Sequence, residues 1–330
     1  MTPEQQADAV RRAAGLFRLS HRSVIAVRGG DRVRWLGGMV SGDVASLEAS
    51  PERSGCAALL LTEKGRIVAD LQVLQKGEEF WLDLDRAVAD SVLARLNKFI
   101  IADDVTLEEQ RAQLVRLAVE GPLTRALFEQ VLGGLPALSP ECCAEVTLAG
   151  APVTLAAFGV SGEPALQLFA PAHTADAVAG TLLEAGAESG LLEASIEALE
   201  ILRIEAGVPR AVSELDETVL PSEARLERAV AVDKGCYTGQ EVVERLRTQG
   251  QVSHLLIGLA HDGDELPEVG APLFDGEARV GEITSACRSP RAGAIALGFA
   301  RRTAAEPGRT LSASGHGMRV VSLPFVRAGT

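Results

Sequence analysis

Hydrophobic positions along this chain follow two rhythms, and the changes of rhythm mark its elements. Residues 4–20 place Ala9, Ala13, Leu16 and Phe17 at helical spacing, which predicts an amphipathic helix. "SVIAVRG" predicts a short strand closed by Gly29 and Gly30. "CAALLLTEKGRIVADLQVLQKGEEFWLDLD" predicts three strands, with Glu63–Lys64–Gly65 and Lys76–Gly77 as turns. "RAVADSVLARLNKFI" carries Val88, Val92, Leu93, Leu96 and Phe99 on one helical face, and "DVTLEEQ" returns as a strand. Strands, helix, strand is an α+β unit of ferredoxin-like type.

The order of elements then recurs without a visible sequence repeat. "RLAVEGP" predicts a strand, and "LTRALFEQVLGG" a helix ended by glycine. "EVTLAGAPVTLAAFGVSGEPALQLFAP" predicts a further run of strands. "AHTADAVAGTLLEAGA" and "LEASIEALEILRIEAG" predict helices, the second stopped by Gly207 with Pro209 beyond it. After residue 250 the texture changes to short strands split by Gly, Pro and Asp, the pattern of a small β-barrel or sandwich. With the boundary near "RTQGQVS", 247–253, the chain divides into α+β units at 1–115 and 116–248 and a barrel at 249–330.

Composition narrows the function classes. A hydrophobic content of 47% over 330 residues indicates folded domains, not disorder. No apolar run approaches the roughly 20 residues that span a bilayer. The N-terminus lacks a signal peptide's apolar core, so a cytoplasmic protein without a membrane partner is expected. Cys56, Cys142, Cys143, Cys236 and Cys287 form neither a disulfide framework nor a C-x-x-C pair, and the five histidines are scattered. No protein-built metal site is expected. The net charge of −13 disfavours stable direct binding to nucleic acid, although a few arginines converging in a cleft could still take an anionic small molecule.

The densest chemistry lies in "VDKGCYTGQEVVERL", residues 232–246, which holds the single tyrosine, Tyr237, and one of four lysines, Lys234. Thr238-Gly239-Gln240-Glu241 fits a capping box, which sets Cys236 two residues ahead of a helix N-cap. A helix N-terminus and the charge of Lys234 are conditions that favour thiolate. The alternatives are that Lys234–Gly235 is one more Lys-Gly turn, that Cys236 is an inert thiol, and that Tyr237 is packing.

At this point the sequence resembles a known family. "KGCYTGQE" resembles the signature of YgfZ-type folate-binding proteins, relatives of the aminomethyltransferase (T-protein) of the glycine cleavage system. "LRIEAGVPRAVSELDETVLPSEARL", "SGEPALQL" and "EKGRIVADLQV" extend the likeness over nearly the whole chain. The resemblance implies a ring of α+β units around a central folate cleft, plus a C-terminal barrel. It implies tetrahydrofolate as cofactor, and as partners the iron–sulfur enzymes or assembly proteins that the protein helps to maintain, with an indirect link to tRNA thiomethylation.

Two departures from the T-protein pattern stand out. The paired aspartates of T-proteins fall at Ala69 and Asp70, so one carboxylate is missing, and a pterin-holding glutamate falls at Gln167. Both point away from aminomethyl transfer and predict poor glycine-cleavage activity. Arg203 is carried over for the folate tail, since a guanidinium takes a carboxylate in bidentate fashion; otherwise it is an i, i+3 partner of Glu200. Glu205 and Glu223 sit in matching segments, and Asp70 is either a proton-handling carboxylate or the polar end of a strand. The leading expectation is a folate-binding accessory protein for iron–sulfur enzymes, with Cys236 as functional thiol, assisted by Lys234. The alternatives are a tetrahydrofolate-dependent one-carbon transferase relying on Asp70, and a folate-binding scaffold.

Overall fold

The structure is a computed structural model that describes residues 1–49, 53–263 and 265–329. It forms two sheet-rich α+β units and a closed barrel of six strands, the architecture expected from the pattern. The first sheet is antiparallel, in the order Gly55–Leu61, Ile67–Lys76, Glu79–Asp85, Arg22–Arg28, Thr106–Glu109. Helix Arg86–Asn97 covers one face through Ala89, Val92 and Leu96, and helix Arg32–Met39 adds Trp35 and Leu36.

The second sheet runs Leu191–Ala194, Ala14–Arg18, Leu114–Glu120, Ala165–Pro171, Ala151–Ala156, Cys143–Leu148. Helices Thr124–Leu132 and Ala175–Gly186 pack on one face, and Pro3–Arg12 with Ile196–Ala206 on the other. The Ile196–Ala206 helix also meets the barrel through a core containing Leu256, Cys287, Ile295 and Leu297.

Two sequence expectations need correction. The helix read over 4–20 ends at Arg12, and Ala14–Arg18 is a strand. That strand pairs with Leu114–Glu120 and Leu191–Ala194, so it belongs to the second sheet. Leu191–Ala194, read as helix, is the parallel partner of that strand. Helical spacing of a few apolar residues does not fix an element that tertiary pairing can claim.

Candidate active site

Alternation in the first sheet decides the chemistry of the cleft. In strand Ile67–Lys76, Ala69, Leu71 and Val73 join the core beneath the helices, so Asp70, Gln72 and Leu74 share the other face. In Glu79–Asp85, Leu82 and Leu84 are core, which turns Trp81, Asp83 and Asp85 to that same face. Cross-strand pairing sorts these residues into rows. Ala26, Trp81 and Leu74 form an apolar row that packs on Ala156 and Phe169 of the second sheet, with the Trp81 and Phe169 ring centroids 5.5 Å apart. The next row is Val24, Asp83, Gln72 and Ala57. Beyond it, Arg22 pairs with Asp85 and Asp70 with Leu59. One face thus passes from a dry contact between sheets to an acidic wall.

The buried charge of this wall is compensated from the second sheet. Asp83, fully buried, accepts from Arg116 Nε at 2.8 Å and Nη2 at 3.2 Å, and from Arg22 at 2.8 Å. Desolvation pushes the Asp83 carboxyl up, but the two guanidiniums outweigh it and hold it below the usual range. Arg116 also stacks over Phe169, 3.7 Å from the ring centroid.

Between the sheets, helix Ile196–Ala206 and residues 208–229 lies a cavity of about 320 Å³. Ile196, Leu199, Leu226 and Phe158 supply apolar wall. Asp70 faces into it, and its Oδ1 is shut off from solvent with no hydrogen-bond partner among the described residues. Burial raises the Asp70 pKa, against the opposing pull of Arg22. Opposite, Gln167 Nε2 donates to the Phe158 carbonyl at 3.0 Å and lies 3.4 Å from Glu120 Oε1. Glu120, buried, also accepts from the Ser161 amide at 2.8 Å; burial raises its pKa against these donors. His21 joins the wall with its Nδ1 unpartnered among the described residues, and burial lowers its pKa to about 4, so it is neutral at pH 7.

The other candidates are committed to protein contacts or lie away from this cleft. Arg203 lines it, but all five of its N–H groups are committed. Nε donates to Glu200 (2.9 Å), Nη1 to the Val208 carbonyl (3.0 Å) and Glu214 (2.9 Å), and Nη2 to Ser285 Oγ (2.6 Å) and the second Glu200 oxygen. Glu205 is fully buried elsewhere, accepting from Arg11 Nε at 2.7 Å and from Ser289, and so ties helix Pro3–Arg12 to the barrel. Glu223 is likewise a structural acceptor, taking the Leu220 amide at 2.9 Å and pairing with Arg66 at 3.1 Å.

The Lys234–Glu241 segment is a strap between the end of helix Arg32–Met39 and the strand pair Gly55–Leu61 and Ile67–Lys76. Lys234 Nζ donates all three hydrogens to the carbonyls of Gly37, Val40 and Gly42, at 2.9, 2.6 and 2.7 Å, where helix Arg32–Met39 ends. Desolvation lowers its pKa to about 8, although Asp43 opposes the shift. Tyr237 packs with Leu59, Leu61 and Ile67, its hydroxyl unpartnered among the described residues and its pKa raised to about 12 by burial. The expected capping box is absent. The helix runs Gln240–Gln249 with Gly239 as N-cap at φ 84° and no side-chain cap. A Cβ on Gly239 would lie 2.6 Å from the Thr62 carbonyl, so contact with the hairpin turn overrides the local signal. Cys236 is exposed, is not among the cleft-lining residues, and has no partner among the described residues.

Two expected outcomes follow from this placement. Lys234→Ala should lower unfolding free energy by about 1–3 kcal/mol, because three carbonyls lose their donor; chemical denaturation checks this, and an unchanged midpoint would contradict the strap. Cys236→Ser should unfold at the wild-type denaturant concentration, as surface changes without partners shift stability little.

Comparisons with known proteins give this geometry a family. Residues 2–234 match the model of the GCVT N-terminal domain, and residues 255–327 that of the glycine cleavage T-protein C-terminal barrel domain. The chain belongs to this T-protein family. It is 30% identical to an aminomethyltransferase of Streptomyces avermitilis, covering 97% of this chain and 88% of that one. A Geobacillus kaustophilus aminomethyltransferase is 31% identical, covering 98% and 90%. Among solved structures, glycine cleavage system aminomethyltransferase T from Bartonella henselae superposes with a TM-score of 0.87 at 26% identity, covering 99% of this chain and 90% of that one.

These relatives overturn the expectation of an iron–sulfur accessory protein built on the Cys236 thiol: full-length relatives at about 30% identity carry the aminomethyltransferase name. The two departures also lose their force. Position 69 faces the hydrophobic core, so Ala69 removes no carboxylate from the cleft, and Asp70 is the residue that faces it. Gln167 stands beside Glu120, which supplies a carboxylate from the neighbouring strand. Family membership is consistent with tetrahydrofolate as the cofactor. Glu120, Arg22, Asp85 and His21 carried no linear motif, although the Leu-Asp-Leu-Asp alternation at 82–85 marks a strand face that must meet cations.

Proposed function

We propose that this chain is a tetrahydrofolate-dependent one-carbon transferase of the aminomethyltransferase kind, acting in the cleft between the two sheets. The observation that carries it is Asp70, a half-buried carboxylate on the cavity wall whose Oδ1 has no hydrogen-bond partner among the described residues. A pterin edge presents adjacent N–H donors, and the Glu120 carboxylate on the cleft wall can receive them, whereas the Gln167 amide oxygen accepts from Arg116 Nη2 at 3.2 Å and its Nε2 faces Glu120. When bound, tetrahydrofolate supplies a nucleophilic nitrogen as the one-carbon acceptor.

The protein's own part is proton handling and water exclusion. The Asp70 carboxylate can accept a proton, and its raised pKa brings it towards the range in which a carboxylate exchanges protons readily. Neutral His21 adds no competing positive charge near Asp70. The strap through Lys234 and Tyr237 holds the strand pair that carries Asp70 and Leu59. The Lys-Gly-Cys-Tyr motif supports a place near the YgfZ-type branch, acting as this strap and not as a reaction centre. The five free cysteines support a reducing, cytoplasmic setting.

The test supplies an aminomethyl-loaded lipoyl carrier protein, or small methylated amines in its place, and follows product formation with and without tetrahydrofolate. Transfer that requires tetrahydrofolate is expected with one of these donors. A folded protein inert with all of them would refute the assignment.

A further inference from the structure

Four arginines line the cleft, and three of them are held by the protein. Arg22 bonds Asp83 at 2.8 Å, Arg210 reaches Glu200 at 3.2 Å and Asp85 at 3.4 Å, and Arg203 has its five donors committed as described. Arg228 differs. It lies in the short helix Glu227–Ala229, is exposed, and makes no hydrogen bond or ion pair among the described residues.

Its backbone is nevertheless fixed. The Ala229 carbonyl accepts from Ser41 Oγ at 2.6 Å, the Ala231 amide donates to the Ser41 carbonyl at 3.0 Å, and the side chains of Leu226 and Ala229 are buried with Leu59. An unpartnered guanidinium on a fixed mount is pre-organised for an anion.

The remaining charges of the cleft set a direction. Asp70, Asp85, Glu120, Glu141 and Glu200 also line it. Arg210 neutralises Asp85 and Glu200, and Glu141 Oε2 accepts the Ala57 amide at 3.1 Å. Asp70, half-buried, and Glu120, buried, have no cation bonded to them among the described residues, so the interior receives hydrogen-bond donors and repels anions. A ligand with a donor-rich head and an anionic tail is oriented head inward, with its tail at Arg228.

We propose that Arg228 holds the glutamate carboxylates of the folate ligand, the role expected of Arg203 being closed by that residue's five protein bonds. This rests on the folate reading above and assigns its tail. Calorimetry with tetrahydrofolate and with its dimethyl ester, in which the tail carboxylates are capped, tests it on the full chain. The wild type should prefer the acid over the ester by about tenfold at low ionic strength, and the preference should shrink as salt is added. Arg228→Ala should abolish that preference and its salt dependence while binding the ester as the wild type does, and Arg228→Lys should restore part of it. A preference that survives Arg228→Ala, or an equal loss for both ligands, would overturn the assignment while leaving the folate reading intact. Binding of neither ligand by the wild type would overturn both.

Discussion

Asp70→Asn should slow tetrahydrofolate-dependent transfer by roughly 10²–10⁴-fold, the range removed with a positioned proton acceptor. Asparagine keeps the shape and cannot take up the proton. The pH profile is the sharper readout. Burial raises the Asp70 pKa above its ordinary value of 3.8, so the wild-type rate should climb with pH on a limb displaced above the usual carboxylate range, and the limb should vanish in the variant. Stability should move the opposite way. A raised folded-state pKa means that the native chain binds the proton more tightly than the unfolded one, so stability is lost as pH rises through that pKa. Asp70→Asn removes this penalty and should raise the melting temperature at neutral pH, the exchange of stability for function common at such sites. A variant that is slow but also unstable would point to a structural role for the carboxylate.

Arg203→Ala should cost about 3–5 kcal/mol of stability, the range for breaking a buried ion pair from one side. Glu214, whose side chain is fully buried, would keep Thr284, Ser285 and the Arg210 amide as donors but lose its cation. The bonds from Arg203 join helix Ile196–Ala206, the loop at Val208 and Glu214, and the barrel strand at Ser285, so docking of the barrel weakens with it. Arg203→Lys should recover little, since an ammonium cannot reproduce five planar donors. Denaturant titration measures the loss. Folate affinity per folded molecule should fall only modestly. A stable Arg203→Ala protein that binds tetrahydrofolate more than tenfold worse would mean that the arginine faces the ligand.

How much of this was legible depends on where the determining contacts lie. Strands such as Ile67–Lys76 and the glycine-ended helix Ile196–Ala206 were readable because alternation, turns and caps are local. The pairing of Ala14–Arg18 with the second sheet was not, because nothing within five residues names a partner more than a hundred positions away. The capping box at Thr238 satisfied every local rule and still lost, because a glycine in the left-handed region lets the chain approach the Thr62–Arg66 turn. Lys234 and Cys236 resemble a reactive pair in sequence, yet the ammonium is turned to three carbonyls at and just beyond the end of helix Arg32–Met39. Asp70 was found through the resemblance, but its orientation, which makes Ala69 irrelevant to the cleft, required the register of the sheet. Glu120 was missed because its proximity to Gln167 exists only across two strands.

A half-buried carboxylate at Asp70, and not the exposed Cys236 thiol, is expected to serve folate-dependent one-carbon transfer. The most direct measurement is the tetrahydrofolate-dependent turnover rate of the wild type, Asp70→Asn and Cys236→Ser, each at saturating folate and with the same one-carbon donor. The account predicts a rate within about twofold of wild type for Cys236→Ser and a loss of at least 10²-fold for Asp70→Asn. A Cys236→Ser protein that is inactive while Asp70→Asn turns over normally would contradict it.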